Sequence, residues 1–379
     1  MGSRLCNRDE AFSESTNEKS ILVWVNKTRE QLMNRRGLLR GAAGFTFQLS
    51  ALNVSTPAFA QGKAAFARPE AISAWRRRIT SILDRGRLPI IDMEATYIEG
   101  VTDVPRMIEY MNEFDIAQIA FAPANASTSK PSLELHRKYS EYFIPTTNSG
   151  EFPRWWRDPA AFLAGVRDDL KSGDYAFMGE HEFRHYPSPE QVRAKNTDRD
   201  ITIDITGPAG QSLFSLSEEF GVAFQIHYEI EDQLLAPLES MLARYPKAKV
   251  IWCHLGMIRY PDRAQRYTPE YIAGMFDRFP GLHFDLAVPD PGNIYGPSGA
   301  RDSTLYSGRQ LAGSWKALME KYPDRFVSAS DYRPPVASSY PEQMGRQRKM
   351  ILEALDESTR HMVAYGNAWR LITGTPWSS

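Results

Sequence analysis

From about residue 68 onwards, short apolar runs alternate with longer segments whose apolar residues recur with helical period. Each apolar run is rich in β-branched and aromatic residues and ends in polar ones, which is typical of a buried strand. The pattern predicts eight strands, at 88–92, 116–123, 142–147, 175–180, 221–227, 248–254, 282–287 and 325–331. The intervening segments predict helices at 103–114, 131–141, 158–172, 208–220, 231–244, 266–279 and 308–321, followed by a helical region at 341–372.

Eight strands alternating with helices over about 310 residues predict an α/β fold of the (β/α)8 TIM-barrel type, which commonly takes about 250 residues plus insertions. A doubly wound sheet of eight strands is the alternative architecture. Two long stretches rich in Pro, Gly and Asp, 181–207 and 288–307, are interpreted as loop insertions.

The sequence before residue 61 has a different character. From Met33 it reads MNRRGLLRGAAGFTFQLSALNVSTPAFAQ, with an arginine pair, a mostly apolar stretch and Ala-Phe-Ala directly before Gln61. This is the layout of a secretory signal, and the arginine pair followed by Gly-Leu-Leu resembles a twin-arginine signal. A membrane anchor or a buried helix is the alternative, but the apolar stretch is short for a membrane span.

We therefore predict a disordered upstream extension at 1–32, a signal peptide at 33–60 and a single barrel domain at 61–379. The expected location is the periplasm or the cell exterior, without stable membrane insertion once the signal is removed. Cys6 would then be lost with the leader, which leaves Cys253 unable to form an internal disulfide. Because it lies in an apolar strand, Cys253 is interpreted as a small buried residue.

Composition excludes several classes of function. Of 379 residues, 42% are hydrophobic and 24% charged, which is ordinary for a globular protein, and the formal net charge is −1. That charge gives no general electrostatic case for binding nucleic acid. A Gly-x-Ser-x-Gly elbow, a phosphate-binding Gly-Lys loop, a Cys-x-x-Cys pair and a dinucleotide fingerprint are all absent from the sequence.

Candidate chemistry appears at the strand ends, where the active sites of such barrels lie. Two of only seven histidines and several carboxylates end the predicted strands. Nitrogen and oxygen ligands from separate strands suit a divalent ion such as Zn²⁺, with one position open for water or substrate. The residues at these ends are Asp92, Glu94, Thr96, Glu180, His227, His254, Asp285 and Asp331.

The motifs that contain these residues resemble the amidohydrolase superfamily. They are IID at the first strand, IHYE at the fifth, WCHLG at the sixth, SASD at the eighth and AYGNAWRL near the C-terminus. More narrowly, they are similar to the amidohydrolase-related branch that also holds metal-dependent decarboxylases and lactonases. The resemblance covers about 88–372 and implies the barrel fold and a divalent metal site, with one Zn²⁺ as the expected ion.

The resemblance implies roles for individual residues. It places the paired histidines of the family's first strand at Glu94 and Thr96, and some decarboxylase-like members also have glutamate at the first of these positions. A threonine hydroxyl is a poor ligand for a transition metal, so Thr96 departs from the pattern. Glu94, His227 and Asp331 are the implied ligands, His254 and Asp331 the implied catalytic residues.

Each of these residues also has a structural interpretation. His227 and His254 could be core histidines satisfied by hydrogen bonds, and Asp331 could cap the loop that follows it. Glu180 ends the fourth strand, where some superfamily members carry a bridging carboxylate, so it is a candidate extra ligand or a residue that orients one. Glu94 could be a structural carboxylate.

Aromatic and basic residues near the strand ends indicate the substrate. Arginine can bind a carboxylate or phosphate through paired hydrogen bonds, and aromatic rings provide apolar walls. Together they indicate a small organic substrate, anionic and cyclic, although each residue alone could equally serve loop packing. The candidate substrate-binding residues are Arg184, His185, Tyr228 and Trp156, with Arg259 and Arg333 nearby.

The expected function is an exported, metal-dependent hydrolase of the amidohydrolase-related type that acts on such a substrate with metal-activated water. The alternatives are a metal-independent lactonase or a decarboxylase on the same barrel, and a non-catalytic exported binding or accessory protein, which the threonine at 96 favours. The sequence leaves the oligomeric state open, with a homo-oligomer among the options.

Overall fold

The structure, a computed structural model, describes residues 66, 68–124, 126–151 and 153–378. The predicted upstream extension and signal peptide lie outside these residues and stay predictions. Within the described part of the chain, no helix is long and apolar enough to span a bilayer.

Eight parallel strands form the centre of the fold. Two hydrogen-bonded ladders, β1–β2–β3 and β4–β5–β6–β7–β8, contain them in chain order. Parallel bridges from Thr146 to Phe177 and from Ala95 to Tyr332 join the ladders at both edges, so the sheet closes into the predicted TIM barrel. The strands are β1 (Ile90–Tyr97), β2 (Ile116–Pro123), β3 (Phe143–Pro145), β4 (Glu180–His185), β5 (Phe224–Tyr228), β6 (Val250–Trp252), β7 (Leu282–Asp285) and β8 (Phe326–Val327).

Helices follow the strands, and many begin with a capping residue and a proline that the sequence supplies. The Asp103 side chain accepts the Arg106 N–H, and that of Asp158 accepts the Ala161 N–H, and each helix has a proline in its first two positions. The helices are α1 (Pro69–Leu83), α2 (Val104–Glu113), α3 (Lys130–Lys138), α4 (Arg154–Arg157), α5 (Pro159–Lys171), α6 (Pro189–Arg193), α7 (Pro208–Phe220), α8 (Asp232–Arg244), α9 (Pro269–Arg278), α10 (Gly313–Lys321), α11 (Ser339–Met350), α12 (Glu357–His361) and α13 (Asn367–Thr373).

The fourth strand differs most from its prediction. The sequence predicts a strand at 175–180 and a loop from 181, whereas β4 begins at Glu180. Its polar composition is compatible with a strand because its charges are paired, Glu182 with Arg199 and Arg184 with Glu231. The remainder of that insertion holds α6 and a short strand, Ile201–Thr202, antiparallel to β4.

The second insertion is also partly ordered, as two short antiparallel pairs. Ile294–Tyr295 pairs with Ala300–Arg301, and Tyr306–Ser307 pairs with Gln310–Leu311. The helical region predicted at 341–372 holds α11, a short 3-10 helix at Leu352–Ala354, and α12, which a π-helical segment at Met362–Gly366 joins to α13.

Asp92 fastens the first strand to the segment after the last one. Its Oδ1 accepts the N–H groups of Ser330 at 2.9 Å and Glu94 at 3.1 Å, and its Oδ2 accepts the Ser330 hydroxyl at 2.7 Å. Burial raises the pKa of this carboxyl to about 7, although these hydrogen bonds act in the opposite direction. The Asp331 N–H also donates to the Glu94 carbonyl at 2.9 Å, so this seam places both residues side by side.

Candidate active site and metal centre

Five polar side chains from different strands converge at the carboxyl end of the barrel. Glu94 lies on β1, Glu180 on β4, His227 on β5, His254 after β6 and Asp331 after β8. All except Asp331 are buried, with at most 5% of each residue exposed. Barrel closure therefore brings together five of the eight residues selected at the predicted strand ends.

Glu180 and the two histidines form the tightest part of this cluster. Glu180 Oε1 lies 2.8 Å from His227 Nδ1 and 3.7 Å from His254 Nε2, and the two ring nitrogens are 3.1 Å apart. Burial alone would raise the pKa of Glu180, but the hydrogen bonds from the histidines and the charges of His227 and Arg333 outweigh it. The pKa of Glu180 is therefore well below its usual value.

His254 is held so that Nε2 faces the cluster. Its Nδ1 lies 2.8 Å from the Ala287 carbonyl, which can only accept, so Nδ1 carries a proton. Its backbone N–H donates to Asp285 at 2.7 Å. Burial opposes its ionisation, but Glu180, Asp285 and Asp331 together raise the pKa of His254 to about 9.

His227 is oriented by Glu229, a carboxylate that is not among the residues selected from the sequence. His227 Nε2 lies 3.3 Å from Glu229 Oε1, and Glu229 is paired with Arg259 at 3.0 Å. Burial alone would raise the pKa of Glu229, but the charge of Arg259 and the hydrogen bond with His227 outweigh it and lower this pKa to about 2. A carboxylate behind a histidine fixes the ring and leaves the other nitrogen facing the site.

Glu94 is the member of this cluster with the fewest hydrogen-bond partners. It is 5% exposed and neither carboxyl oxygen has a hydrogen-bond partner. The nearest histidine nitrogen, His254 Nε2, is 3.9 Å from Oε1. Burial, followed by the negative charges of Asp285, Glu180 and Asp331, raises the pKa of Glu94 well above its usual value. Such buried orphans are rare in folded proteins, and an ion is one of the partners that explains them.

The donor set fits a divalent metal ion. In three overlapping groups, ligand atoms lie within 4.8 Å of one another. Imidazole nitrogens and carboxylate oxygens are ligands of Zn²⁺ and similar ions, so the residues present suit a divalent metal ion. The third group includes Cys253, which the sequence indicated only as a core residue. The groups are Glu180–His227–His254, Glu94–His254–Asp331 and Glu94–Glu180–Cys253.

Two of the ligand candidates have an uncommon backbone conformation. His254 has φ of 64° and Asp331 has φ of 51°, the left-handed region that favours glycine. Non-glycine residues in this region carry strain that the surrounding structure must maintain, and such residues concentrate at functional sites.

Arg333 lies beside the cluster and contacts three carboxylates. Its Nε is 3.2 Å from Asp331 Oδ1, its Nη1 3.1 Å from Glu151 Oε2 and its Nη2 3.3 Å from Glu180 Oε2. About a third of the Arg333 side chain, 34%, is exposed. Asp331 and Glu180 belong to the groups of candidate ligands, so this cation contacts two of the carboxylates that could hold a metal.

A cavity of about 520 Å³ opens above the cluster. His185, His227, His254 and Asp331 line it, together with arginines from three loops and α11. The His185 ring lies 4.6 Å from that of His227, and burial lowers the pKa of His185 well below its usual value. These arginines are Arg199, Arg259, Arg333 and Arg346.

Three of the predicted substrate-binding residues do not line this cavity. Tyr228 follows His227 on β5, so alternation turns it to the opposite face, where its hydroxyl donates to the Leu234 carbonyl at 3.1 Å. Arg184 is paired with Glu231 at 2.8 Å. Trp156 is 49% exposed on α4.

Thr96 lines a neighbouring cavity of about 420 Å³ rather than the one above the histidines. Arg199 and Arg333 border both cavities. Thr96 belongs to none of the groups of candidate ligands found among the described residues.

Comparison with known proteins identifies the family. The sequence pattern of the amidohydrolase family, Amidohydro_2, matches residues 153–373, more than half of the chain. The chain belongs to the amidohydrolase family. Comparison of this amidohydrolase with curated proteins gave no significant match.

Solved structures agree with the amidohydrolase barrel. A protein from Pseudomonas putida assigned as a 2-pyrone-4,6-dicarboxylic acid hydrolase is similar with a TM-score of 0.50 and 12% identity, over 76% of this chain and 98% of that one. Less similar is 2,6-dihydroxybenzoate decarboxylase from Rhizobium, with a TM-score of 0.46 and 13% identity over 75% of this chain and 98% of that one. A zinc-bound amidohydrolase from Burkholderia multivorans has a TM-score of 0.42 and 11% identity over 76% of this chain and 99% of that one. At these identities the likeness concerns the fold.

Proposed function

We propose that this amidohydrolase is a metal-dependent hydrolase that acts on a small, anionic organic substrate. The observation that carries the proposal is Glu94, a buried carboxylate with two unpartnered oxygens among histidines and further carboxylates. A divalent cation is the ligand that satisfies such an arrangement, since it balances several like charges at once.

The ion would be held by Glu94, Glu180, His227 and Asp331. When bound, it supplies a Lewis acid for the substrate carbonyl and lowers the pKa of a water ligand. Asp331 is the most accessible of these carboxylates, with 37% of its side chain exposed, and it borders the cavity. It is therefore placed to accept a proton from attacking water.

His254 is placed to hold a proton at Nε2. Its Nδ1 hydrogen bond to the Ala287 carbonyl fixes the ring, and the neighbouring acidic groups favour the protonated form. A protonated Nε2 at the floor of the cavity can stabilise negative charge that develops on the substrate oxygen, or transfer the proton to the leaving group.

Arg346 supports an anionic substrate. Its guanidinium borders the cavity, and its strongest described hydrogen bond is a long one, 3.5 Å to the Val288 carbonyl. Arg199 and Arg259, in contrast, are each paired with a buried carboxylate of the barrel, Glu182 and Glu229. Arg346 therefore retains donors for a substrate carboxylate.

Metal analysis of the full-length protein, purified without chelator, tests the proposal. We expect close to one equivalent of a transition metal, together with hydrolysis of ester, lactone or amide substrates that carry a carboxylate. Less than about a tenth of an equivalent of bound transition metal, together with activity that chelation leaves unchanged, would refute the metal-dependent mechanism.

Arg333 favours one alternative, a metal-independent lactonase or decarboxylase on the same scaffold. Its guanidinium already supplies a positive charge to Glu180 and Asp331. Product analysis distinguishes the reactions. Carbon dioxide release identifies a decarboxylase, and ring opening by chelator-treated protein identifies a metal-independent lactonase.

We also propose that the protein is exported. The support is the arginine pair Arg35–Arg36 and the apolar segment that follows it in the sequence. Fractionation of cells that express the full chain tests this, with a Lys-Lys replacement of the pair as the control. Equal retention of both proteins in the cytoplasm would refute export by this route.

A further inference from the structure

Arg333 is placed where it must interact with any ion at this site. Its Nε and Nη2 contact Asp331 Oδ1 at 3.2 Å and Glu180 Oε2 at 3.3 Å. Both residues belong to the groups that could ligate a metal. A cation that binds the lone pairs of a ligand carboxylate reduces their availability to a second cation.

The charges around Arg333 do not balance. Four carboxylates, those of Glu94, Glu151, Glu180 and Asp331, lower the energy of its charged form. The guanidinium contacts three of them and leaves both oxygens of Glu94 without a partner. The guanidinium therefore offsets only part of the negative charge of these four carboxylates, with the protonated His254 beside Glu180 as a second cation, whereas a divalent ion carries twice the charge of either group.

We infer that Arg333 is the counter-cation of the metal-free site and competes with the metal ion for Glu180 and Asp331. This inference rests on the proposed metal-dependent function. The ion and the guanidinium draw on the negative charge of the same two carboxylates, so the measured metal affinity includes the free energy of weakening both contacts.

The surroundings of Arg333 allow this exchange. The side chain borders two adjacent cavities, of about 420 and 520 Å³, and 34% of it is exposed. Its third partner, Glu151, belongs to none of the described groups of candidate ligands, so that contact can persist after the exchange. The movement needed is a rotation of one side chain, which is a fast local change.

The other arginines of the cavity provide a control for general electrostatics. Arg346 borders the same cavity, but no ion pair joins it to the described carboxylates. Removing its charge changes the field in the cavity without freeing any candidate ligand. Arg333→Gln and Arg346→Gln therefore separate direct competition from the effect of net charge.

The experiment is a titration of the chelator-stripped, full-length protein with Zn²⁺ and with Mn²⁺, against a chromophoric chelator that competes for the ion. We expect Arg333→Gln to bind the ion about 10- to 100-fold more tightly than wild type, the range by which side chains next to metal ligands change affinity. Arg346→Gln should stay within about threefold of wild type because it breaks no contact with a ligand.

Thermal unfolding provides a second, independent readout. Metal-free Arg333→Gln should unfold at a lower temperature than wild type, because its carboxylates lose their counter-cation, and added metal should raise its unfolding temperature by more. Arg333→Lys keeps the charge but loses the planar fork, so its affinity should lie between the two. If Arg333→Gln does not fold, the lysine variant decides.

The outcomes separate this inference from the proposed function. If wild type binds metal and Arg333→Gln binds it equally or more weakly, or if both glutamine variants gain affinity equally, the competition is refuted and the metal-dependent function stands. If neither wild type nor Arg333→Gln binds metal, both are refuted.

Discussion

Replacing Glu94 by glutamine tests the central property of the site, a carboxylate that lacks a partner unless an ion is present. The change keeps the shape of the side chain and removes its charge. In the metal-free protein, wild-type Glu94 is buried with two unsatisfied oxygens and lies near Asp285, Glu180 and Asp331. We expect Glu94→Gln to be more stable than wild type under these conditions.

The magnitude follows from replacing a buried negative charge near three carboxylates with a neutral amide whose N–H groups can donate to them, and relief of one unsatisfied buried group is worth about 1–3 kcal/mol. The pH dependence follows from the pKa. Because the pKa of Glu94 is raised in the folded state above its ordinary value of 4.5, folding is favoured by protonation, and this contribution is lost as the pH rises through the folded-state pKa. The advantage of Glu94→Gln should therefore be smallest below pH 4.5 and increase above it.

Added metal should reverse the order. Each tenfold loss of affinity in the variant removes about 1.4 kcal/mol of metal-induced stabilisation, so saturating Zn²⁺ should stabilise wild type more than Glu94→Gln. The assay is urea unfolding at several pH values, once with chelator and once with Zn²⁺. Glu99→Gln is the matched control, since Glu99 is an exposed glutamate just after β1 and its change should stay within about 0.5 kcal/mol.

Two results would refute the reasoning. One is a Glu94→Gln protein that is less stable than wild type in chelator across the pH range. The other is an equal gain of stability from Zn²⁺ in both proteins, because Glu94 would then contribute nothing to an ion site.

Three further changes test other parts of the structure. Asp92→Ala should destabilise the protein by about 1–3 kcal/mol, because two N–H groups and a hydroxyl lose their acceptor. Urea unfolding should show a larger loss of stability below pH 7 than above it. The reason is that the raised pKa of Asp92 makes wild type lose stability as the pH rises. Arg346→Gln should raise KM for a carboxylate substrate about tenfold with unchanged metal content, and equal KM values would argue against an anion contact. His254→Gln should lower kcat by at least about 100-fold in steady-state assays while circular dichroism shows a folded barrel, and a kcat within twofold of wild type would exclude the proton-holding role.

Much of the barrel is predictable from local sequence, because buried strands and amphipathic helices each have a characteristic spacing of apolar residues. The strand at 116–123 and the helix at 208–220 were predicted to the residue. The predicted position of β4 is wrong because its sequence, EHEFRH, is polar. Its burial depends on partners from distant loops, such as Arg199. Periodicity alone contains no information about such pairing.

The site shows the same division. The carboxyl ends of the parallel strands of a barrel lie at one rim. The position of four residues at strand ends therefore predicts that they meet there: Glu94, His227, His254 and Asp331. Glu229 and Cys253 were not predicted as members of the site. Their contacts depend on the direction of each side chain within a strand or at its end, which the positions of strand ends do not specify. IHYE did contain a signal, for the two-residue spacing from His227 to Glu229 puts both on one face of β5 or just past its end.

The seam that Asp92 closes also bears on how long an ion would stay bound. Glu94 lies on one side of the seam and Asp331 on the other, joined by the 2.9 Å hydrogen bond from the Asp331 N–H to the Glu94 carbonyl. An ion ligated by both would bridge the first and last strands of the barrel. Its residence time would then be governed by how often the two ends of the sheet separate, and the protein would lose its metal most readily when the barrel opens.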